Sequence, residues 1–231
     1  MNIEIWSDVV CPWCYIGKRR LEKAILQLDG SIPVQIRWRS YELDPGAAKS
    51  VEKDMVSRLS EKYRISPQQA KESMDHITSL ALAEGLEYNL DGAKMTNSFD
   101  AHRLIQMASK NELGGQMKER LLRAYFIESE NISDKDALLR FACEVGLDAV
   151  EVSGMLASDA FADKVRADES LATELGISGV PFFVFDSKYA VSGAQSSEVF
   201  LEVLTRVQAE SGQKAINTDD ASNCSNDSCQ V

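Results

Sequence analysis

Ser7-Asp8-Val9-Val10-Cys11-Pro12-Trp13-Cys14-Tyr15-Ile16-Gly17 decides the fold. It contains a C-x-x-C pair, Cys11-Pro12-Trp13-Cys14, directly after a short apolar strand, Ile3–Trp6, and directly before a long amphipathic helix, Tyr15–Leu28. In an open loop such a pair is often half of a zinc site, but at the junction of a strand and a helix it reads as a thiol–disulfide redox centre. Two thiols within one helical turn can close into a disulfide and reopen, and the first sulfur lies where a helix N-terminus favours negative charge. Cys11 is therefore the expected nucleophile, with its pKa expected to fall from the ordinary ~8.5 toward about 3.5–7.5. Cys14, one turn further in, is expected to resolve the mixed disulfide by attacking Cys11. Pro12 and Trp13 between them supply rigidity and an apolar lid but no side-chain charge.

Outward from the pair, residues 2–7 alternate Ile3 and Ile5 with Asn2 and Glu4, the period of a strand. The first helix starts at the cysteines, with Pro12 tolerated in its first turn, and carries Ile16, Leu21, Ile25 and Leu28 near helical spacing. Gly30 ends it, and Val34–Trp38 alternates again, completing a β-α-β unit. From Pro45 to Gly176 the pattern is helical. Ser66-Pro67-Gln68-Gln69 is a capping box opening a helix that stops near Gly85. Thr96 or Asn97 caps the next, through Leu113; others run from Gln116 to Ser129, from Ser133 to Gly146 and from Asp159 to Leu175. Strand character returns at Pro181–Phe185, a turn at Asp186-Ser187-Lys188 leads to Tyr189–Gly193, and the spacing is that of a β-hairpin. A last helix is expected over Ser196–Glu210, and beyond Ser211 the polar composition reads as a flexible tail.

The expected fold class is α/β: a four-stranded mixed sheet, β-α-β followed by β-β-α, interrupted by a large all-helical insertion, because neither terminal piece closes a core alone. The expected divisions are residues 1–44 and 177–210 for the sheet domain, 45–176 for the insertion and 211–231 for the tail.

The bulk composition excludes several classes. With 231 residues, 44% hydrophobic and 26% charged, the chain has an ordinary globular composition, and its net charge of −11 disfavours nucleic acid or an anionic membrane as the main partner. The N-terminus has neither the basic nor the apolar region of a secretory signal, and no apolar run approaches the roughly 18 residues that span a membrane. The expected location is the cytoplasm, where paired cysteines are more often catalytic, redox-sensing or metal-binding than structural.

There are five cysteines. Cys143 falls inside a helix and is expected to act as a small core residue. Cys224 and Cys229, in the tail, are either incidental or an accessory redox pair that exchanges with Cys11 and Cys14. A coil of about 13 residues from Ser211 reaches roughly 20 Å, which permits contact with the centre. Four thiolates could alternatively hold zinc.

The second signal is Val180-Pro181, after Gly176-Ile177-Ser178-Gly179 and before an apolar strand; proline at the start of a strand is ordinarily a tolerated edge feature. Together, the stretch from Ser7 to Gly17, Thr96-Asn97-Ser98-Phe99-Asp100-Ala101-His102-Arg103-Leu104, and Gly176-Ile177-Ser178-Gly179-Val180-Pro181-Phe182-Phe183 resemble signatures of the DsbA-like thioredoxin superfamily, in its FrnE branch. They stand in the family's order across residues 3 to about 208.

The resemblance implies a thioredoxin fold with an all-helical insertion and a cis peptide before Pro181, so that Val180, Pro181 and Trp13 meet an extended substrate. It implies protein disulfide oxidoreductase or isomerase activity on protein or peptide disulfides, with glutathione or another thiol as reductant, and no cofactor or metal. In the family pattern Asn97, His102 and Arg103 lie on a helix whose N-terminus approaches the site; His102 or Arg103 would then bias the Cys11 thiolate, or the group would simply hold the insertion on the sheet, which is the favoured reading. His76, mid-helix beside Asp75, is expected on the surface. Some relatives carry a cysteine-bearing C-terminal tail. Periplasmic DsbA has a histidine between its cysteines, where this chain has Trp13, so that protein's extreme oxidising power is not carried over. The rival readings are a glutathione-dependent isomerase of the 2-hydroxychromene-2-carboxylate type, which usually has serine at the position of Cys11 and lacks the second cysteine, and a metal- or redox-sensing protein using four cysteines.

Overall fold

The structure, a computed structural model, describes residues 1–28, 33–49 and 54–219, with side chains to residue 210. Strand β1 (Asn2–Ser7) is followed by α1 (Pro12–Ile25) and β2 (Gln35–Ser40), and β1 and β2 pair in parallel. After the insertion, β3 (Phe182–Phe185) returns antiparallel to β1, and β4 (Tyr189–Ser192) antiparallel to β3. The four-stranded mixed sheet therefore has the order β2-β1-β3-β4, a DsbA-like thioredoxin fold as the sequence implied.

The alternation along β1 serves two faces. Ile3 and Ile5 enter the main core with Phe183, Phe185, Phe200 and Leu204. Trp6 faces the other way, packing on Ala172 and Ile177 while its Nε1 donates to the Asp168 carbonyl at 3.0 Å. Helix α1 packs against the last helix, α9 (Ser197–Asp219).

The insertion contains α2 (Met55–Tyr63), α3 (Pro67–Ala83), α4 (Phe99–Lys110), α5 (Gly114–Phe126), α6 (Lys135–Val145), α7 (Ala149–Leu156) and α8 (Ala162–Glu174). Helices α4, α5 and α8 lie against β2 and so dock the insertion on the sheet. The capping box at Ser66 forms both of its bonds: Ser66 Oγ accepts from Gln69 N at 3.1 Å, and Gln69 Oε1 accepts from Ser66 N at 2.9 Å.

Four details differ from the sequence expectations. Helix α1 opens at Pro12 with Cys14 inside it, as expected, but ends at Ile25 and leaves Leu28 beyond it. Two short helices, α2 and α7, were not anticipated. Each is started by an aspartate cap, Asp54 accepting from Ser57 N and Asp148 from Val150 N and Glu151 N, and in α7 the β-branched Val150 and Val152 mask the helical signal. Helix α9 continues to Asp219, well past Glu210, because Gln213-Lys214-Ala215 are good helix formers despite their polarity. Residues 211–219, expected in the tail, are therefore helical in backbone. Finally, Cys143 is exposed on α6 rather than a core residue; the buried side of that helix carries Ala137, Leu138, Phe141 and Ala142, and Cys143, a residue beyond, turns outward.

The joint between α1 and the β3 strand is close. A Cβ on the buried Gly17 would lie 3.1 Å from Pro181 Cγ, 3.2 Å from Phe183 Cζ and 3.4 Å from Ala194 Cβ. Gly17→Val is expected to overpack this contact and destabilise the protein by about 1–3 kcal/mol, measured as a fall in the denaturant midpoint at unchanged slope.

Candidate active site

Cys11 is the N-cap of α1, in extended conformation with φ −94° and ψ 114°, and Pro12 opens the helix. Its carbonyl accepts from Cys14 N at 3.0 Å, fixing the two cysteines one turn apart. Both are free thiols and both are buried. The Val180–Pro181 peptide is cis, and the Cys11 Sγ–H points at the Val180 carbonyl at 3.5 Å, so residues separated by most of the chain meet at one sulfur. Tyr88, on the segment after α3, donates its hydroxyl to the Pro12 carbonyl at 2.8 Å and clamps the helix start from the insertion side.

A cavity of about 520 Å³ opens beside this point. Cys11, Pro12, Trp13, Gly179 and Val180 form its redox wall, with apolar side chains from the insertion, among them Met55, Leu59, Met74 and Ile77, opposite. Cys11 lines the cavity and Cys14 does not. Pro181 is buried against α1 at Gly17. Among the expected substrate contacts, Val180 and Trp13 thus face the cavity, while Pro181 supports them.

The charge distribution differs from the simple expectation of a lowered Cys11 pKa. The Cys11 thiol is held well above its ordinary value by its bond to Cys14, then by burial and by the charges of Cys14 and Asp8. Burial pushes Cys14 up too, but the Cys11 thiol, the Lys118 ammonium, Ser7 and the backbone of Asp8 together bring it below the ordinary thiol value. The physical reason is that the two thiols titrate as one coupled pair: the first proton leaves easily, and the second leaves with difficulty because the site already carries a negative charge. The inner sulfur has the better electrostatic surroundings and the outer one has the access. Of the two sulfurs, Cys11 is thus the one that a molecule in the cavity can meet.

Asp8 organises the approach to the cysteines. It is wholly buried; its Oδ2 accepts from Leu43 N at 2.7 Å and its Oδ1 from Val10 N at 3.4 Å, and His102 Nε2 lies 3.2 Å from Oδ1. Burial works to raise the carboxyl, and the bonds from His102 and Leu43 outweigh it, leaving Asp8 below the usual aspartate value. His102 thus ties α4 of the insertion to the loop that carries Cys11.

Arg103, next to it, turns away and holds Asp100 and the carbonyls of Met155, Ser158 and Ala160. Asn97 Oδ1 accepts from Phe99 N at 2.9 Å and its Nδ2 donates to the Pro45 carbonyl at 3.4 Å, but the N-cap of α4 is Ser98 rather than Thr96 or Asn97. The partners of Arg103 and Asn97 lie within the insertion itself, so of the three residues His102 alone reaches across to the loop that carries Cys11, and neither of the other two bonds the sulfurs. His76 is exposed, as expected. Cys224 and Cys229 lie outside the described residues. Among the described residues no group of three His, Cys, Asp or Glu side chains is placed to hold a metal, and no helix is long and apolar enough to cross a membrane.

Sequence reasoning assigned no role to Asp8, Ser7, Tyr88 or Lys118. Asp8 stands in the quoted motif, but an aspartate in a turn before a helix carries no mark of burial. Lys118 did carry one: it sits on the apolar stripe of α5 with Leu121, Leu122 and Tyr125, where a charge is out of place.

A strand–helix dithiol facing a cis-proline loop, on a sheet interrupted by a helical insertion, defines a DsbA-like thiol–disulfide oxidoreductase. The DSBA-like thioredoxin domain matches residues 2–205, and the chain belongs to that family. It is similar to a crystal structure described as a probable DsbA oxidoreductase from Streptomyces coelicolor, 42% identical over 91% of either chain with a TM-score of 0.86. It is 29% identical to the uncharacterized protein YwbO of Bacillus subtilis, over 90% of this chain and 98% of that one. At 17% identity and a TM-score of 0.62 it shares its fold with the cytosolic disulfide reductase DsbM of Pseudomonas aeruginosa, over 90% of this chain and 100% of that one; DsbM has also been solved with GSH.

Proposed function

We propose that this chain is a cytoplasmic oxidoreductase or isomerase of protein disulfides, working through Cys11-Pro12-Trp13-Cys14 and recharged by glutathione or another small thiol. The observation that carries this reading is the position of Cys11: it is the sulfur of the pair that lines the cavity, and the Val180 carbonyl stands 3.5 Å from it. An extended chain laid along Gly179-Val180 brings its disulfide to that sulfur. Cys11 Sγ attacks one substrate sulfur and displaces the other as a thiolate. Cys14 Sγ then attacks Cys11 Sγ, forming the intramolecular disulfide and releasing the second substrate thiolate. The apolar cavity wall suits side chains of a partly unfolded client, and Trp13 covers it without adding charge. The cytoplasmic assignment agrees with a dithiol that must be kept reduced to attack. Cys224 and Cys229 are proposed as an accessory pair that passes electrons to the centre.

The test is reduction of insulin disulfides by the purified protein with glutathione as the electron donor, beside a Cys224→Ser/Cys229→Ser variant. Catalysed reduction by the wild type is expected, with a slower recharging step in the double variant. No acceleration over glutathione alone would sink the reading, and equal recharging rates would remove the role of the tail pair.

A further inference from the structure

Lys118 is a buried cation that the exchange reaction, as written above, does not use. It lies on the buried face of α5, is 1% exposed and does not line the cavity. Its ammonium donates to the Ser7 carbonyl at 3.1 Å and lies 5.6 Å from the centre of the Trp38 ring. A fully buried ammonium has three donors to satisfy and a large desolvation cost, so it persists only where an anion offsets it. The Asp8 carboxylate contributes to that offset, but its hydrogen bonds go to Leu43, Val10 and His102 and none to the ammonium. A second buried group is also left over: Ser7 Oγ makes no hydrogen bond of ordinary geometry, and its influence helps to bring the Cys14 thiol down. A buried ammonium bonded to the Ser7 carbonyl and an unpartnered Ser7 hydroxyl therefore stand together at the end of β1, four residues before the cysteine loop, and both favour charge on the inner sulfur.

We propose that Lys118 is the counter-charge of the Cys14 thiolate, a positioning residue that, with the Ser7 hydroxyl, prepares the inner sulfur for the resolving step. This rests on the oxidoreductase reading given above. In that step the mixed disulfide Cys11–S–S–R is present, and the Cys14 S–H has lost its proton to solvent. The Cys14 anion, held by Lys118 and Ser7, donates its electron pair to Cys11 Sγ. The Cys11–Cys14 bond forms, the bond to R breaks, and R–S⁻ leaves and is protonated by water. Lys118 changes partner: it faces a thiolate before the step and a neutral disulfide after it.

The surroundings agree. Burial brings the Lys118 ammonium down from its ordinary value to about 8, against the opposing pull of Cys14, Asp8 and Cys11, with Lys18 adding to the depression. Charged and titratable groups facing the site are thus Cys11, Cys14, Asp8 and Lys18, with the Tyr88 hydroxyl at the outer edge. Oxidation of the cysteines removes the pull of the thiolate, and the ammonium value falls further.

The experiment follows thiolate absorbance against pH in reduced protein carrying Cys143→Ser, Cys224→Ser and Cys229→Ser, so that the Cys11–Cys14 pair alone contributes. Replacing Lys118 by methionine, which keeps the length and removes the charge, is expected to raise the midpoint of the first thiolate by about one pH unit or more, and Lys118→Arg to return it toward the wild type. Resolution of a glutathione mixed disulfide should slow roughly threefold, a tenfold loss of thiolate partly offset by the greater nucleophilicity of a more basic sulfur. An unchanged midpoint in folded Lys118→Met overturns the proposal. Should that variant not fold, the wild type decides: the side-chain nitrogen resonance of Lys118 should titrate at lower pH in the oxidised than in the reduced protein, and equal midpoints overturn it. Normal exchange with unmoved midpoints refutes the counter-charge alone, whereas wild-type protein that exchanges no disulfide refutes the oxidoreductase reading beneath it.

Discussion

Cys11→Ser is expected to bring disulfide reduction down to the uncatalysed rate, while Cys14→Ser is expected to keep the first attack and stop at the mixed disulfide. The two outcomes follow from position. Cys11 lines the cavity beside the Val180 carbonyl and is the sulfur that an incoming disulfide can meet in line. A serine there cannot form a comparable nucleophile near neutral pH, because the reaction runs through the thiolate. Cys14 lies one turn inside, within reach of Cys11 and away from the cavity, so its loss leaves the covalent adduct with nothing to release it. Mass spectrometry under non-reducing conditions should find stoichiometric glutathione or peptide adducts on Cys11 in Cys14→Ser and none on Cys14 in Cys11→Ser. The structure sharpens the alternative outcome. Since the inner sulfur is the one whose pKa is lowered, adducts on Cys14, with turnover surviving the loss of Cys11, would mean that charge rather than access selects the nucleophile.

The fold was legible because its decisive features are local. A strand of alternating Ile3 and Ile5, a helix opened by Pro12 and a hairpin after Pro181 each leave a periodic or compositional trace, and together they fix the sheet. The helical insertion was legible where long segments keep helical periodicity, as in α3, α4 and α5, and was missed in the short helices α2 and α7, even though an aspartate caps each. The cysteines and the proline loop were found because both are rare and specifically placed. What stayed hidden was the layer beneath them. Asp8, Ser7 and Lys118 take their roles from burial and from partners about 35 to 111 residues away, and a sequence records neither. The same holds for the direction of the Cys11 shift. A helix N-terminus lowers a lone thiol, but a second thiol bonded to it, in a buried site with an acid nearby, reverses the sign for the outer sulfur.

The second large effect is expected at Asp8, where one carboxylate serves both stability and chemistry. Asp8→Ala leaves the Leu43 amide and the His102 ring without their acceptor in a fully buried site, at an expected loss of about 3–5 kcal/mol. Against a typical total of roughly 5–15 kcal/mol this is a large fraction, and chemical denaturation measures it. The pH dependence has a definite sign. The folded-state pKa of Asp8 lies below the ordinary 3.8, so its contribution is fully present above that value, declines as pH falls below it and is gone once pH passes beneath the folded value. Asp8→Asn, which keeps the size and removes the charge, should therefore be less stable at neutral pH and flatten the acid limb of the stability curve below pH 3.8. It should also move the chemistry in the opposite direction to the stability. The Asp8 charge helps to hold the Cys11 thiol up, so its removal lets the thiolate form at lower pH, and alkylation of Cys11 at pH 6–7 should be faster in folded Asp8→Asn than in the wild type. A variant both less stable and slower to alkylate would show that Asp8 acts on Cys11 through loop geometry and not through charge. The pairing with His102 makes the same point by a thermodynamic cycle: if His102→Ala costs little once Asp8 is gone, the two act as one unit, and the insertion is anchored at the loop that carries the nucleophile.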